Sequence, residues 1–242
     1  IRLSLVGSEM CIRDRLDGEA LLTRQAASLG ATLDGQPGIH ATHFGAGASR
    51  PVIRGLEGPR VRILSDGSEV MDASTVSHDH AVTVEPALAQ RIEVLRGPSA
   101  LAYGGDALGG VVNVIDNKIP TAIPERGYEG QIDLRAASGA RESQGGFSLT
   151  GGAGQVAIHA EGLARNADAY RVGSGWSGGS RVEGSEARSA TGSLGLSWIG
   201  DRGYLGVAYT RIRSTYGLPG HSHALEELSL IHISEPTRLR RI

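Results

Sequence analysis

Arg91-Ile-Glu-Val-Leu-Arg-Gly-Pro-Ser-Ala-Leu-Ala-Tyr-Gly104 and, close behind it, Ala107-Leu-Gly-Gly-Val-Val-Asn-Val-Ile115 place two aliphatic runs on either side of a glycine-punctuated break. Ile92 and Val94 alternate with Arg91 and Glu93, the period-two pattern of a strand that buries one face. Gly97-Pro98 and Gly104-Gly105 permit sharp reversals, and Gly109-Gly110 let the next strand start against another backbone. The glycines do not form a phosphate cradle, because no Gly-Lys-Ser/Thr follows them. Toward the N-terminus, Val61-Arg-Ile-Leu64 alternates in the same way and closes on an Asp66-Gly67 turn, and Val52-Ile53 forms a further short run. Leu21, Leu22 and Leu29 with several alanines predict one helix over Asp17–Leu29, stopped by Gly30. Arg54, Glu57, Glu93 and Arg96 are charges inside apolar runs, suited to breakable polar contacts with one another or with a charged enclosure. Up to Pro120 the pattern is mixed α+β.

After Pro120 the texture becomes a meander. Ile132, Leu134 and Ala136 alternate with Asp133 and Arg135, and Val156, Ile158 and Ala160 with Ala157, His159 and Glu161. Leu194, Leu196 and Trp198 alternate with Gly195 and Ser197, and Leu205, Val207 and Tyr209 with Gly206, Ala208 and Thr210. With Phe147 and Leu149, these predict five antiparallel strands, apolar on one side and small or charged on the other. A soluble sandwich gives the same alternation. Connection lengths point elsewhere. Gly152–Gly154 and Gly200–Gly203 are tight, whereas Asn166–Ala187 is a Gly/Ser-rich loop and Ser214–Glu227 begins another. Short turns at one end and long loops at the other characterise outer-membrane barrels. Trp198 and Tyr204 flank a short turn, where an aromatic girdle belongs, and His159 is expected to face the interior.

Composition narrows the alternatives. The 242 residues carry 24 basic against 26 acidic side chains, a formal charge of −2 that gives no basic field for nucleic acid. One cysteine excludes a disulfide framework and a four-cysteine zinc site. No apolar window approaches the ~18 residues of a membrane helix, which leaves barrel strands untouched. The stretches Val6–Arg15 and Ser229–Arg238 resemble translated sequencing-adapter read-through. Residues 1–15 and 228–242 are therefore set aside as artefact, and Cys11 leaves with them.

Arg50-Pro-Val-Ile-Arg-Gly55, Arg62-Ile-Leu-Ser-Asp-Gly67 and the Arg91–Gly104 and Ala107–Ile115 stretches together resemble the plug domain of TonB-dependent outer-membrane receptors. The resemblance covers about 100 residues in the family's order. It implies an α+β plug domain over 16–120, followed over 121–227 by the first five antiparallel β-strands of an incomplete transmembrane β-barrel. It further implies a location in the outer membrane of a Gram-negative bacterium and import of a scarce nutrient. The implied partners are TonB with its inner-membrane energising complex, outer-membrane lipid, and a transported metal ion or metal chelate, with no nucleic acid. A 22-strand barrel cannot be closed by this chain, which is expected to be a fragment.

Six histidines fall into close pairs, His40/His43, His78/His80 and His221/His223. Imidazole and carboxylate are ordinary zinc ligands. Met71-Asp-Ala-Ser-Thr-Val-Ser-His-Asp-His80 resembles the zinc-uptake branch of the receptors, in which an Asp-His pair on a plug loop contributes to the metal site; the likeness maps onto Asp79 and His80. Tyr216-Gly-Leu-Pro-Gly-His221-Ser-His223 resembles that branch's external histidine loop. The expectation is weak capture of Zn2+ by His221 and His223, then binding by Asp79 and His80 with further ligands from strands not in this sequence. His40 and His43 match no motif and are expected to be plug loop residues. Zinc here is cargo, and no catalytic cofactor is expected. A receptor for ferric siderophore, haem or cobalamin shares the plug motifs, and a soluble periplasmic β-rich binding module is the alternative of another class. No nucleophile elbow and no His-Glu-x-x-His is present, and Ser77-His78-Asp79 is adjacency in sequence rather than a triad, so an enzyme is not expected.

Overall fold

The computed structural model describes residues 12–175, 179–201, 203–220 and 226–234; of residues 12–13 and 226–234 only the backbone is considered. Two compact units divide after Asp116. In the first, strand β1 (Ile12–Asp17) leads into helices α1 (Gly18–Arg24) and α2 (Leu29–Leu33). Strands β2 (Ile39–Ala41), β3 (Pro51–Ile53), β4 (Val61–Ser65), β5 (Ser68–Glu69), β6 (Arg91–Arg96) and β7 (Gly110–Ile115) follow. A five-stranded sheet has the order β1-β6-β7-β4-β5, with β4 and β7 parallel and the other neighbours antiparallel. β2 and β3 pair separately.

The single helix expected over Asp17–Leu29 is two short ones. Gln25 leaves helical geometry at ψ 124° and ends α1. The Ser28 hydroxyl then accepts the Ala31 N–H at 3.3 Å and opens α2, an ordinary N-cap. Gly30 consequently lies inside α2 and is not a stop. It is needed there for close approach, because a Cβ would stand 2.7 Å from the Arg50 carbonyl.

β6 also departs from one-faced burial. Ile92 and Val94 join the main core with Leu29, Leu33, Ile53 and Val112, with Arg96 buried on the same side, yet Glu93 on the other face is buried as well. The opposite face of the sheet is covered because the 3-10 turn Pro98–Tyr103 folds back, and Ala100 and Ala107 pack with Leu64 and Val111 in a second cluster.

The second unit is a six-stranded antiparallel meander: β8 (Tyr128–Ala137), β9 (Glu142–Ala153), β10 (Val156–Ala167), β11 (Ala187–Gly200), β12 (Gly203–Tyr216) and β13 (Glu226–Ser234), neighbours in sequence pairing in order. Its two faces differ sharply. Ile132, Leu134, Leu194, Trp198 and Leu205 each keep about half or more of their surface exposed, up to 79% at Leu134. The opposite side of β9–β12 buries Gln144, Thr150, His159, Glu161, Arg165, Ser193 and Thr210. The polar side chains are therefore inside and the apolar ones outside, the reverse of a soluble sheet. Connections 154–155 and 201–202 are two residues each, and the chain leaves β10 and β12 at the other end, before the longer connections 168–186 and 217–225.

Alternation corrects the aromatic pair. Trp198 faces outward opposite Leu205, but Tyr204 pairs with Ile199 on the other face. The outward aromatics at the short-turn end are Trp198 and Tyr128, the latter 69% exposed and paired with Gly151. The chain that enters this unit crosses its inner face. Asn117 donates to Thr150 at 3.4 Å, and a Cβ on Gly195 would collide with the Lys118 carbonyl, as one on Gly206 would with Ile119.

Candidate functional site

Residues 72–83 leave the five-stranded sheet as a loop whose two ends are held by one carboxylate. Asp72 Oδ1 accepts the Ser74 N–H at 3.0 Å and starts the 3-10 turn Ala73–Thr75. Its Oδ2 accepts the Thr83 N–H at 2.9 Å and the Thr83 hydroxyl at 3.2 Å, eleven residues away. An Asx-type start combined with a long-range acceptor closes the segment into a compact loop.

Behind Asp72 stands Arg50, 3.8 Å away, with both side chains almost fully buried. The Arg50 guanidinium also donates to the Ser74 hydroxyl and, at 3.4 Å, to the Gly58 and Val61 carbonyls. Burial pushes its pKa below the ordinary guanidinium value, and the charges of Asp72 and Glu57 oppose that shift. Arg50 and Asp72 thus tie the loop to the start of β4.

Asp79 and His80 lie on this loop and touch each other, Oδ1 to Nδ1, at 3.0 Å. The Ser77 hydroxyl donates to the same carboxylate. These two hydrogen bonds, Ser77 first and His80 second, hold the Asp79 carboxyl below the usual carboxylate range. A carboxylate beside Nδ1 favours the Nδ1–H tautomer, which puts the imidazole lone pair on Nε2; this is how protein metal sites orient a histidine ligand. His78 turns elsewhere. Its Nε2 stands 3.3 Å from Glu57, and its ring stacks on Phe44 at a centroid separation of 5.9 Å.

The expected metal residues are only partly brought together. Asp79 and His80 form a pair; His221 and His223 lie outside the described residues. Among the described residues no three His, Cys, Asp or Glu side chains are grouped to hold a metal ion. His40 and His43 are exposed in and just beyond β2. His159 is buried on the inner face of β10, 2.8 Å from the Thr150 hydroxyl and 3.4 Å from Glu161. Of the charges suited to contacts with one another or with a charged enclosure, three take partners outside the set: Glu57 meets His78, Glu93 meets Arg91 at 3.2 Å, and Arg96 meets Asp14 and the Pro37 carbonyl. Arg54 sits exposed at a turn with φ 52°. Arg50 and Asp72 were not singled out from the sequence, although Asp72 with Ser74 carries the Asx-turn signal.

Residues 12–111 match the family described as TonB-dependent Receptor Plug Domain. Over 98 residues the chain is 37% identical to a protein of Yersinia pestis named Hemin receptor, which covers 40% of this chain and 14% of that protein. Among solved structures, the copper transporter OprC superposes with a TM-score of 0.76 at 18% identity, over 92% of this chain and 33% of that one. The siderophore receptor PirA from Pseudomonas aeruginosa gives 0.60 at 25% identity, over 84% of this chain and 35% of that one. The ferric enterobactin receptor PfeA from the same organism gives 0.65 at 21% identity, over 84% and 33%. This chain therefore spans about a third of those structures and a seventh of the Hemin receptor. The fold is that of a plug domain followed by antiparallel barrel strands, with the barrel unclosed.

Proposed function

We propose that this chain is the N-terminal part of a TonB-dependent receptor that imports a metal nutrient across the outer membrane of a Gram-negative bacterium, with TonB and its inner-membrane complex as energy source. The observation that carries the proposal is the inverted sheet of β8–β12, apolar outside and charged inside, directly after a plug-domain match. In lipid every strand edge must be paired, so the open meander requires further strands to complete the wall.

The cargo assigned to this receptor is Zn2+. His80, oriented by Asp79, supplies one imidazole nitrogen on an exposed plug loop. A zinc site needs three or four ligands, so this pair binds loosely until other parts of the receptor contribute. His221 and His223 would serve as collectors. A second cargo, haem or a ferric siderophore, is favoured by the Hemin receptor likeness and by the PirA and PfeA folds.

Isothermal titration of the full-length receptor tests the choice. Replacing Asp79→Ala and His80→Ala together is expected to weaken Zn2+ binding at least tenfold, the loss of about 1.4 kcal/mol or more. Unchanged affinity rejects the zinc assignment. Growth of a deletion strain under zinc starvation, against iron starvation with haem supplied, separates the two cargoes.

A further inference from the structure

His159 and Glu161 form a buried titratable pair that the plug-loop site leaves unused. They lie two residues apart on β10, facing inward, with side chains only 3% and 2% exposed. The cross-strand partners of His159 are Thr150 and Gly195, and those of Glu161 are Ser148 and Ser193. Among the described residues His159 is the one ion-pair partner of Glu161. A carboxylate taken out of water needs close, well-aligned partners to offset its lost hydration.

The contact itself is a poor hydrogen bond. Nε2 and Oε2 stand 3.4 Å apart, beyond the ~2.7–3.2 Å of a good N–H···O bond. Glu161 Oε1 is buried and has no hydrogen-bond partner among the described residues. The separation fits a shared cation instead, because two ligands each ~2.0–2.1 Å from a tetrahedral ion lie about 3.3–3.4 Å from one another. The far side of the ring is prepared for that role. Nδ1 stands 2.8 Å from the Thr150 hydroxyl, to which the Asn117 side-chain amide also donates at 3.4 Å. A proton held on Nδ1 by that oxygen leaves the Nε2 lone pair turned toward Glu161, the orientation of a metal-binding imidazole. Further oxygen lies in the same cross-strand row: Ser193 neighbours Glu161, and its hydroxyl bonds that of Thr210 at 3.0 Å.

We infer that His159 Nε2 and the Glu161 carboxylate form a divalent-cation site on the inner face of the wall, taking Zn2+ or a similar first-row ion with hydroxyl oxygen or water in the remaining positions. Imidazole and carboxylate together suit such ions. Two protein ligands are fewer than the three or four that hold a resident zinc, so the ion is bound weakly enough to leave again. The site serves transit and is separate from the Asp79–His80 pair. The inference rests on the metal-import reading, which supplies the cation.

The test uses the full-length receptor in detergent micelles, first as the parent and then with Asp79→Ala, His80→Ala, His221→Ala and His223→Ala in place, which removes the plug-loop pair and the collectors. Into this background His159→Gln and Glu161→Gln are introduced singly, both keeping hydrogen-bonding capacity. Isothermal titration with Zn2+ is expected to show a site in the background that each change weakens about tenfold or more. Thr150→Val, which frees the ring, should weaken it by a smaller factor. With Co2+ as the probe, His159→Cys should keep the site and add a thiolate-to-cobalt charge-transfer absorption, which a purely structural pair does not give. If a glutamine variant folds poorly, as its metal-free thermal midpoint would reveal, the cobalt spectrum decides. Equal Zn2+ affinity of the background and both glutamine variants, or no charge-transfer band from His159→Cys, overturns the inner-wall site. A parent that binds Zn2+ while the background binds none also overturns it and leaves the import reading standing. A parent that binds no Zn2+ removes the zinc assignment and this inference together.

Discussion

At the scale of single residues, the loop that presents Asp79 and His80 depends on a carboxylate several positions away. Asp72 holds Ser74 and Thr83 and neutralises Arg50 in a nearly dry site. Asp72→Ala leaves a buried guanidinium unpaired, so it is expected to lower plug stability by about 3–5 kcal/mol. Removing both charges with Arg50→Met and Asp72→Asn should cost less, while still freeing the Thr83 end of the loop. A spin label at Val76, which is 86% exposed on the loop, should sharpen in both variants, and a label at Leu101 should not in the double variant. Equal mobilisation of the two labels in that variant would reduce Asp72 to an ordinary fold-stabilising residue. Asp79 supplies a pH test. Its pKa is depressed in the folded loop, so the contribution of its ionised form is present above the ordinary carboxylate value near 4 and is lost as pH falls through the depressed one. Ser77→Ala removes the larger cause and should move loss of the Asp79–His80 contact to higher pH, as followed by NMR titration of the His80 ring. The Asp79–His80 adjacency was legible in the sequence because contact between neighbours needs no fold. Arg50 and Asp72 were not, since a buried charge in a short segment produces no periodic signal.

At the scale of elements, periodicity located β8–β12, five of the six strands of the second unit, because each alternates over enough residues to average out local exceptions; β13 (Glu226–Ser234) falls almost wholly in the stretch set aside as artefact and was not expected. Side-chain direction near a turn was harder. Trp198 and Tyr204 straddle the same short connection, but six residues of separation with a two-residue turn put them on opposite faces. In the first unit, the expected helix broke because Ser28 caps a new start, and alanine-rich composition alone does not reveal where a turn is interrupted. Gly195 illustrates a glycine whose reason is tertiary: the entering chain at Lys118 occupies the place of its Cβ, whereas Gly192 on the same strand has nothing within 4 Å. Gly195→Ala should therefore cost about 1–3 kcal/mol by overpacking, while Gly192→Ala should be near neutral. Thermal midpoints of the two full-length variants check this, and equal midpoints would remove the seat assigned to Lys118 and Ile119.

At the scale of the whole chain, fold class was readable because two independent patterns agreed: ordered plug motifs, and after them strands of inverted polarity. Cargo was not readable to the same depth, since the ligands of a metal or chelate site converge from segments distant in sequence, and a run of adjacent residues supplies too few of them. The sheet order ends at β8 on one side and β13 on the other. Among the described residues each end strand has a neighbour on one side alone, and the outward face exposes Ile132, Leu134, Leu149, Ile158, Leu196 and Val207. An edge and a continuous apolar face of this kind drive association in water. The 242-residue chain is accordingly expected to sediment as aggregate when refolded in buffer and to stay dispersed in detergent micelles, as seen by analytical ultracentrifugation at tens of micromolar. Replacing Leu134, Ile158, Leu196 and Val207 with threonine keeps strand propensity and removes the greasy face. That variant should need less detergent to remain dispersed, with residual association through the edges alone. A monodisperse monomer of the parent chain in plain buffer would mean that the outward face is compatible with water. The membrane proposal would then give way to a soluble periplasmic β-rich binding module.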